Sequence, residues 1–286
     1  TIKIFQSISA DLRPTPAKSH YTFNLRDVSK VFQGCLMTRS KEIPNAKDFC
    51  KLWIHETCRI FKDRLVNAQD TEYFDTALAT LVGRNFTFGF SKEELFESDL
   101  PILFCDFLRP SMDDGPGIYE MVKDRAKLER VLYNNLEDYN LSNPTQMKLV
   151  FFMDAIKHVC RATRMLRQPR GNAMLVGVGG SGKQSVTRMA CHMSETVFYQ
   201  IEMIRGYNHL SFLENLKEIM LVAGVEGKPL AFCLVDTQIV DESFLEDVNN
   251  ILNTGEVPNL FASEEYSKIR EDLRPILKSQ GIETDR

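Results

Sequence analysis

Apolar residues recur at helical spacing through the first third of the chain. The stretch LRDVSKVFQGCLMT places apolar side chains on one helical face, namely Val28, Val31, Phe32, Cys35 and Leu36. Two later stretches repeat the pattern, with Phe49, Leu52, Trp53, Ile60, Phe61 and Leu65 in the first and Tyr73, Phe74, Ala77, Leu78 and Leu81 in the second. Gly83 is expected to end the last helix. Because no alternating pattern typical of strands occurs here, we predict a small all-α helical subdomain over residues 1–108.

A cluster of helix-breaking residues follows in LRPSMDDGPGIYE and predicts a domain boundary, through Pro110, Gly115, Pro116 and Gly117. Residues 109–145 are predicted to be a linker and a helical extension. The apolar stripe of that helix consists of Leu128, Val131, Leu132 and Leu136, and LSNPTQ interrupts it. A further helix is predicted from Met147 to Leu166, ending before Pro169 and Gly171.

From Asn172 onwards, short apolar runs alternate with helical patterns. We predict strands at NAMLVGV, TVFYQIE and PLAFCLVD, and the continuous apolar run of the last predicts that it is buried. The helix SFLENLKEIMLVAG is expected to begin with a capping box of Ser211 and Glu214 and to end at Gly224, and the next helix to end at Gly255. This order predicts a three-layer α/β domain with a parallel sheet over residues 146–286.

Composition narrows the function classes. The chain has 286 residues, enough for about two domains, and its 43% hydrophobic and 26% charged residues are typical of a soluble globular protein. A net charge of −4 disfavours a broad nucleic-acid surface, which needs clustered Lys and Arg. The seven cysteines form no C-x-x-C pair, which indicates free thiols in a reducing compartment.

We find no signal peptide and no apolar run of about 18 residues that would span a membrane. The sequence begins without Met and ends at GIETDR, which resembles no domain end. We therefore expect a segment of a longer chain.

The stretch GVGGSGKQS, between a predicted strand and a predicted helix, fits a phosphate-binding loop. Its residues are Gly177, Val178, Gly179, Gly180, Ser181, Gly182 and Lys183. The glycines let backbone N–H groups approach one anion, the helix adds its positive end, and Lys183 brings a charge to the β- and γ-phosphates. The next position normally carries a Ser or Thr that binds Mg²⁺, but here it is Gln184, whose amide oxygen is a weaker ligand. The alternative is a glycine-rich turn that binds nothing.

The apolar strand that ends in Asp236 supplies a carboxylate that can hold Mg²⁺ through water. In hydrolysing enzymes of this class the next residue is usually a Glu that polarises the attacking water, whereas here it is Thr237. Losing such a group costs about 10²–10⁴ in rate, so we expect phosphate binding with slow or absent hydrolysis. Glu242 is the one candidate for a replacement base, although Asp241 and Glu242 are more simply interpreted as caps of the next helix. The alternative for Asp236 is a helix cap after a buried strand.

Other candidate sites are weaker. The histidines are isolated, and none has the spacing of a zinc-binding helix: His20, His55, His158, His192 and His209. A basic run contains Arg161, Arg164, Arg167 and Arg170. These arginines could contact a nucleotide or a neighbouring subunit, and a solvated helix end is the alternative.

The chain resembles the dynein heavy chains, whose motor is a ring of linked AAA+ modules. LRQPRGNAMLVGVGGSGKQS and VDTQIVDESFLEDVNNILNTGEVPNLF are similar to the fourth module, in which Gln184 belongs to the pattern. LRPTPAKSHYTFNLRDVSKVFQG is similar to the start of the small subdomain that closes the third module. The Asp236–Thr237 pair resembles the axonemal branch. The resemblance implies an α/β P-loop AAA+ domain, incomplete at its C-terminal end, preceded by the helical lid of another module.

The resemblance also implies roles for particular residues. Arg26 matches the sensor arginine that would reach the nucleotide of the preceding module, and Leu149 and Val150 match the segment that flanks adenine. The implied cofactors are ATP or ADP with Mg²⁺, held by the loop and, through water, by Gln184 and Asp236. The implied partners are neighbouring AAA+ modules, a microtubule contacted by other parts of the chain, and dynein intermediate and light chains, with no nucleic acid and no membrane. The implied setting is the axoneme of cilia or flagella. The open alternatives are an active ATPase module with Glu242 as base and a nucleotide-free scaffold.

Overall fold

The computed structural model describes residues 1–96, 98–109, 117–279 and 281. The chain divides into two compact units, Thr1–Ser194 and Glu195–Arg286, and each unit is described by itself. The predicted boundary residues 110–116 lie outside the described residues. Within the described residues, no helix has both the length and the apolar content to cross a bilayer.

The first unit begins with a group of helices. They are α1 (Ile2–Asp11), α2 (Leu25–Cys35), α3 (Ala46–Ile60), α4 (Ala68–Asn85) and α5 (Lys92–Phe96). Asparagine begins three of them, because the side chains of Asn24, Asn45 and Asn67 accept hydrogen bonds from first-turn backbone N–H groups of α2, α3 and α4. The apolar core between the helices includes Ile4, Ile8, Val31, Phe61, Phe74 and Leu78. The predicted helical bundle is therefore present.

Two predictions for these helices are wrong. The predicted apolar face of α2 is only partly buried, since Phe32 and Leu36 are 52% and 83% exposed while Val31 is fully buried. The helix has turned so that Gly34, and not the larger residues, faces α3. Gly83 does not end α4, which continues to Asn85, because a helical glycine costs only about 1 kcal/mol and neighbouring packing offsets it.

The middle of the first unit contains a short antiparallel pair and three helices. Strands β1 (Phe104–Cys105) and β2 (Glu120–Met121) pair antiparallel, so this region is not purely helical. Helices α6 (Arg125–Ser142), α7 (Met153–Arg167) and α8 (Lys183–Met193) share a second apolar core that includes Leu128, Leu132, Ile156, Val159 and Met189.

Helix α7 begins at Met153, six residues later than predicted. Residues 146–152 form no helix or strand, and the Asn140 amide binds the backbone of Met147. Asn140 Nδ2 donates to Met147 O at 3.0 Å, and Asn140 Oδ1 accepts from Met147 N at 2.7 Å. A long-range side-chain contact of this kind overrides the local helical preference.

The second unit contains the parallel sheet. Strands β3 (Val197–Gln200) and β4 (Leu230–Cys233) pair in parallel, with Val197 opposite Leu230 and Gln200 opposite Cys233. Helices α9 (His209–Gly224), α10 (Ser243–Thr254) and α11 (Ser263–Ser279) complete the unit. Its core is built on Phe212 and Phe244, whose rings stack with centroids 4.2 Å apart. The predicted parallel strands and the predicted helix end at Gly255 are confirmed.

Three local predictions in the α/β part are wrong. Residues 172–178 form no strand, because a strand exists only as part of a ladder and no described strand is hydrogen-bonded to this segment. Helix α9 begins at His209 with Asn208 as its cap, since Asn208 Oδ1 accepts from Ser211 N and so takes the place predicted for Ser211. Strand β4 is only half-buried along its length, since β3 is its one partner among the described strands.

Candidate functional site

The predicted phosphate loop has the backbone shape that its glycines allow. Gly180 and Gly182 have φ of 75° and 81°, in the left-handed region that side chains with a Cβ rarely adopt. Gly182 stands directly before α8, and its carbonyl accepts from Val186 N at 2.9 Å. The loop therefore turns sharply into the first turn of a helix, where backbone N–H groups are free to bind an anion.

Lys183 is the first residue of α8 and folds back over the loop. Its Nζ donates to the carbonyl oxygens of Gly177 and Val178 at 2.7 and 2.8 Å and lies 3.4 Å from Ser181 Oγ. These contacts hold the ammonium group within the loop, where a phosphate would need it. The first turn of α8 carries no acidic residue that would compete with an anion.

The magnesium position of the loop is occupied by an amide. The side chain of Gln184 is exposed at the first turn of α8, whereas Ser185 is half-buried one position later. Thr187, which also carries a hydroxyl, donates that hydroxyl to Lys183 O at 2.9 Å. The exposed carbonyl oxygen of Gln184 is the group that the prediction assigns to a metal or its water, and that role stays a prediction.

Asp236, in the second unit, follows β4 as expected. It begins a short 3₁₀ turn, Asp236–Gln238, and its carboxylate is exposed. Gln238 fixes this turn, because its buried side chain accepts from Val235 N at 3.0 Å and donates to Ile201 O at 2.6 Å. Sequence reasoning missed Gln238. The signal that could have found it is a Gln two residues after the strand-ending Asp.

The residues after Asp236 lead into the start of α10. Thr237 is exposed. Asp241 caps α10, since its Oδ1 accepts from Ser243 N at 2.9 Å and from Ser243 Oγ at 2.7 Å. The hydrogen bond from the Ser243 backbone N–H, and then the one from its hydroxyl, hold the pKa of Asp241 below its usual range. Glu242 is the exposed residue that precedes α10, and its side chain does not cap the helix.

The segment predicted to flank adenine lies just before α7. Leu149 is half-buried against the second core, whereas Val150 is 74% exposed. The Asn140 amide binds the backbone of Met147, two residues before Leu149. The predicted roles of Leu149 and Val150 stay predictions.

Arg26 is the second residue of α2, and its side chain is exposed. The first turn is fixed around it, because Asn24 accepts from the backbone N–H of both Arg26 and Asp27, and Asp27 accepts from Asn24 N. Asp27 also pairs with Arg64. Arg26 therefore stands exposed on a capped helix start, and its sensor role stays a prediction.

The histidines form no metal site among the described residues, where no group of three or more metal-ligating side chains occurs. His55 is buried, and its Nδ1 donates to Ile102 O at 3.0 Å. Burial, followed by the nearby Arg59, lowers the pKa of His55 well below its usual range. His209 Nε2 lies 2.7 Å from Asp247 Oδ2 at the start of α9. Both histidines therefore have structural partners.

Three of the four arginines of the basic run are paired with carboxylates rather than solvated. Arg161, Arg164 and Arg167 of α7 form ion pairs with Asp63, Glu56 and Asp106, respectively. Only Arg170, beyond the helix, is exposed. The interpretation of the run as a solvated helix end is therefore wrong, because the carboxylates that face it come from distant parts of the sequence.

Comparison with known proteins gives two family matches. A family described as "P-loop containing dynein motor region D4" matches residues 147–286. A family described as "AAA+ lid domain" matches residues 1–92. The two matches coincide with the predicted α/β domain and with most of the predicted helical subdomain.

Individual proteins match along nearly the whole chain. Human dynein axonemal heavy chain 6 is 48% identical over 282 residues, and mouse dynein axonemal heavy chain 1 is 44% identical over 283 residues, each over 99% of this chain. The dynein-1-beta heavy chain of the flagellar inner arm I1 complex of Chlamydomonas reinhardtii is 44% identical over 284 residues. The chain spans only 6–7% of the length of these relatives.

Proposed function

This chain belongs to the axonemal dynein heavy chains, and from that premise we propose that residues 177–184 bind ATP or ADP together with Mg²⁺. The observation that carries the proposal is the shape of the loop. Gly180 and Gly182 turn the backbone in the left-handed region directly into α8, and Lys183 holds its ammonium group within the turn. Free N–H groups, a helix N-terminus and a lysine at this point suit the β- and γ-phosphates.

Hydrolysis at this site is proposed to be slow or absent. Gln184 would offer its amide oxygen to Mg²⁺ or to a water bound to it, and the metal would neutralise phosphate charge. The position after Asp236 carries Thr237, whose hydroxyl does not accept a proton usefully near neutral pH. The missing base costs about 10²–10⁴ in rate, while the loop that binds the phosphates is intact.

The module is therefore proposed to act as a regulatory site in the fourth position of the ring. Its helical lid would close the third module, with Arg26 as the sensor for the nucleotide bound there, and Leu149 and Val150 would flank the adenine of its own nucleotide. Nucleotide state would then set how neighbouring modules pack. The family description, which names region D4, supports this position.

For the parent chain we propose minus-end-directed motility along microtubules in cilia or flagella. The names of the relatives describe axonemal and flagellar heavy chains, which supports the axoneme as the location. Microtubule contact would lie outside this segment. Intermediate and light chains are the proposed further partners.

The test is the substitution Lys183→Ala in the full-length heavy chain. Losing the ammonium group from the phosphates should weaken binding at this site by about 100-fold or more, since charge-assisted bonds contribute about 1.5–3 kcal/mol each. The stoichiometry of bound fluorescent ADP should fall by one site relative to the unmodified chain. Lys228→Ala, which removes an exposed lysine far along the sequence, is the matched control and should leave the stoichiometry unchanged. An unchanged stoichiometry in the Lys183 variant would contradict nucleotide binding here and favour the scaffold alternative.

A further inference from the structure

A buried charged cluster joins helix α3 of the lid to helix α7. The Glu56 carboxylate is fully buried, and its Oε2 accepts from Arg164 Nε at 2.9 Å and from Arg164 Nη2. Its Oε1 accepts from the hydroxyl of buried Tyr119 at 2.7 Å. Every oxygen of the carboxylate therefore has a partner, and the guanidinium meets it side-on with two donors.

Helix α2 reaches the same cluster through a glycine. A Cβ on Gly34 would lie 2.5 Å from Glu56 Cδ and 2.9 Å from Arg164 Nη2, inside any possible contact. The absence of a side chain at Gly34 is thus what allows the carboxylate and the guanidinium to lie against the backbone of α2. Three helices, α2, α3 and α7, meet at one ion pair.

A second arginine of α7 strengthens the attachment. Arg167 Nη1 donates to Gly117 O at 2.6 Å and to Asp106 Oδ2 at 3.1 Å, and its guanidinium lies over the Tyr119 ring at 5.8 Å. Burial, and then the charge of Glu56, raise the pKa of Tyr119 well above its usual range, so the hydroxyl keeps its proton and donates a hydrogen bond to Glu56. The C-terminal end of α7 is therefore held by Glu56 of the lid and by Asp106 and Gly117.

The contacts continue to both proposed functional residues. Arg26 lies on α2 eight residues before Gly34, about 12 Å along the helix. On the other side, α7 packs on α8, with Ile156 and Val159 in the same core as Met189. Helix α8 begins with Lys183, so a displacement of α7 must displace the helix that carries the loop lysine.

We propose that Glu56, Arg164 and Gly34 form a positioning joint, through which helix α2 of the lid sets the nucleotide affinity of the loop at residues 177–184. This inference rests on the proposed function of the loop. Glu56 and Arg164 touch no nucleotide and act through α7 and α8. A nucleotide that draws Arg26 towards the preceding module moves α2, and the joint passes that movement to Lys183.

Stability alone does not require such a pair. A buried ion pair contributes little net stability compared with apolar residues of similar volume. Removing only one partner is destabilising, because the other charge is left buried and unpaired. Removal of both partners is therefore a usable perturbation. Glu56→Gln with Arg164→Met eliminates the charges and both guanidinium hydrogen bonds to Oε2 while it preserves the volume and an acceptor for Tyr119.

The experiment measures affinity at the loop in the full-length heavy chain, as the fluorescent-ADP binding that Lys183→Ala removes. Arg26→Ala is introduced with the joint intact and again in the Glu56→Gln/Arg164→Met background. We expect Arg26→Ala to change the dissociation constant about fivefold or more with the joint intact and less than about twofold without it. The control background is Lys62→Met/Asp75→Asn, which removes an ion pair that lies wholly within the lid, and there the effect of Arg26→Ala should persist.

Equal effects of Arg26→Ala in the intact and joint-free backgrounds would overturn the proposal, because independent sites contribute additively. An absent effect in the intact background would overturn it too. Tyr119→Phe gives a second measurement if the double variant does not fold, since it removes one hydrogen bond from Glu56 and should reduce the effect of Arg26→Ala partially. If Lys183→Ala removes no bound nucleotide at all, the proposed function has failed as well, and the two failures are thereby distinguished.

Discussion

Replacing Gly34 by Ala should destabilise the first unit, although alanine is the better helix former. The new Cβ would overlap Glu56 Oε2 and lie 2.5 Å from Glu56 Cδ, whereas ordinary contact begins at 3.4 Å, so the carboxylate must recede by more than an ångström. That movement breaks its bonds to Arg164, and a buried charge without its partner costs about 3–5 kcal/mol. The higher helix propensity of alanine offsets up to about 1 kcal/mol of this loss in folding stability. We therefore expect a net loss of about 2–4 kcal/mol.

Gly83→Ala is the matched control. Gly83 also lies within a helix, it is exposed, and nothing lies within 4 Å of the position where its Cβ would be. Here only the helical preference acts, so we expect a gain of about 0.5–1 kcal/mol. Two substitutions of the same chemical kind should thus change stability in opposite directions.

Urea unfolding followed by tryptophan fluorescence measures both variants. Trp53 is the one tryptophan in the sequence, and it is 7% exposed on α3, one helical turn before Glu56. With a slope of about 2 kcal/mol per M, the midpoint for Gly34→Ala should fall by about 1–2 M. A midpoint equal to or above that of the unmodified chain would refute the reasoning. It would mean that Glu56 and Arg164 move to accommodate the methyl group without any loss of folding stability.

Two further predictions concern the stability contributed by His55 in the first unit and by Phe244 in the second. Because the pKa of His55 is lowered well below its usual range, by burial first and then by Arg59, the unfolded chain binds a proton that the fold does not. The stability of the first unit should therefore be complete above about pH 6.5 and fall on acidification by up to about 1.4 kcal/mol per pH unit, and His55→Phe should flatten that slope in urea titrations read at Trp53. In the second unit, Phe244→Ala should cost about 3–5 kcal/mol because it removes a fully buried ring that stacks on Phe212, measured by circular dichroism in urea. Leu245→Ala, at a 49% exposed neighbour, should cost less than about 1 kcal/mol, and equal losses would contradict the assignment of the core.

Features set by short-range sequence could be predicted here. The glycine loop, the helix end at Gly255 and the parallel strands before Asp236 all follow from residues within one turn or one strand. The structure of segment 172–178 could not be predicted in this way. Its apolar content predicts a strand, but a strand forms only where a neighbouring strand is hydrogen-bonded to it. The roles of Glu56 and Arg164 were equally hidden, since the two residues are 108 positions apart and nothing local marks either one as paired.

The meeting of Gly34, Glu56 and Arg164 also has an evolutionary consequence. A lineage that loses either charge alone passes through a strongly destabilised intermediate, and one that enlarges the glycine displaces both partners. Mutational routes away from the present combination therefore cross a fitness valley. Across descendants of this gene, we expect these three positions to be retained together or exchanged together, so that they covary more tightly than exposed pairs such as Arg125 and Glu129.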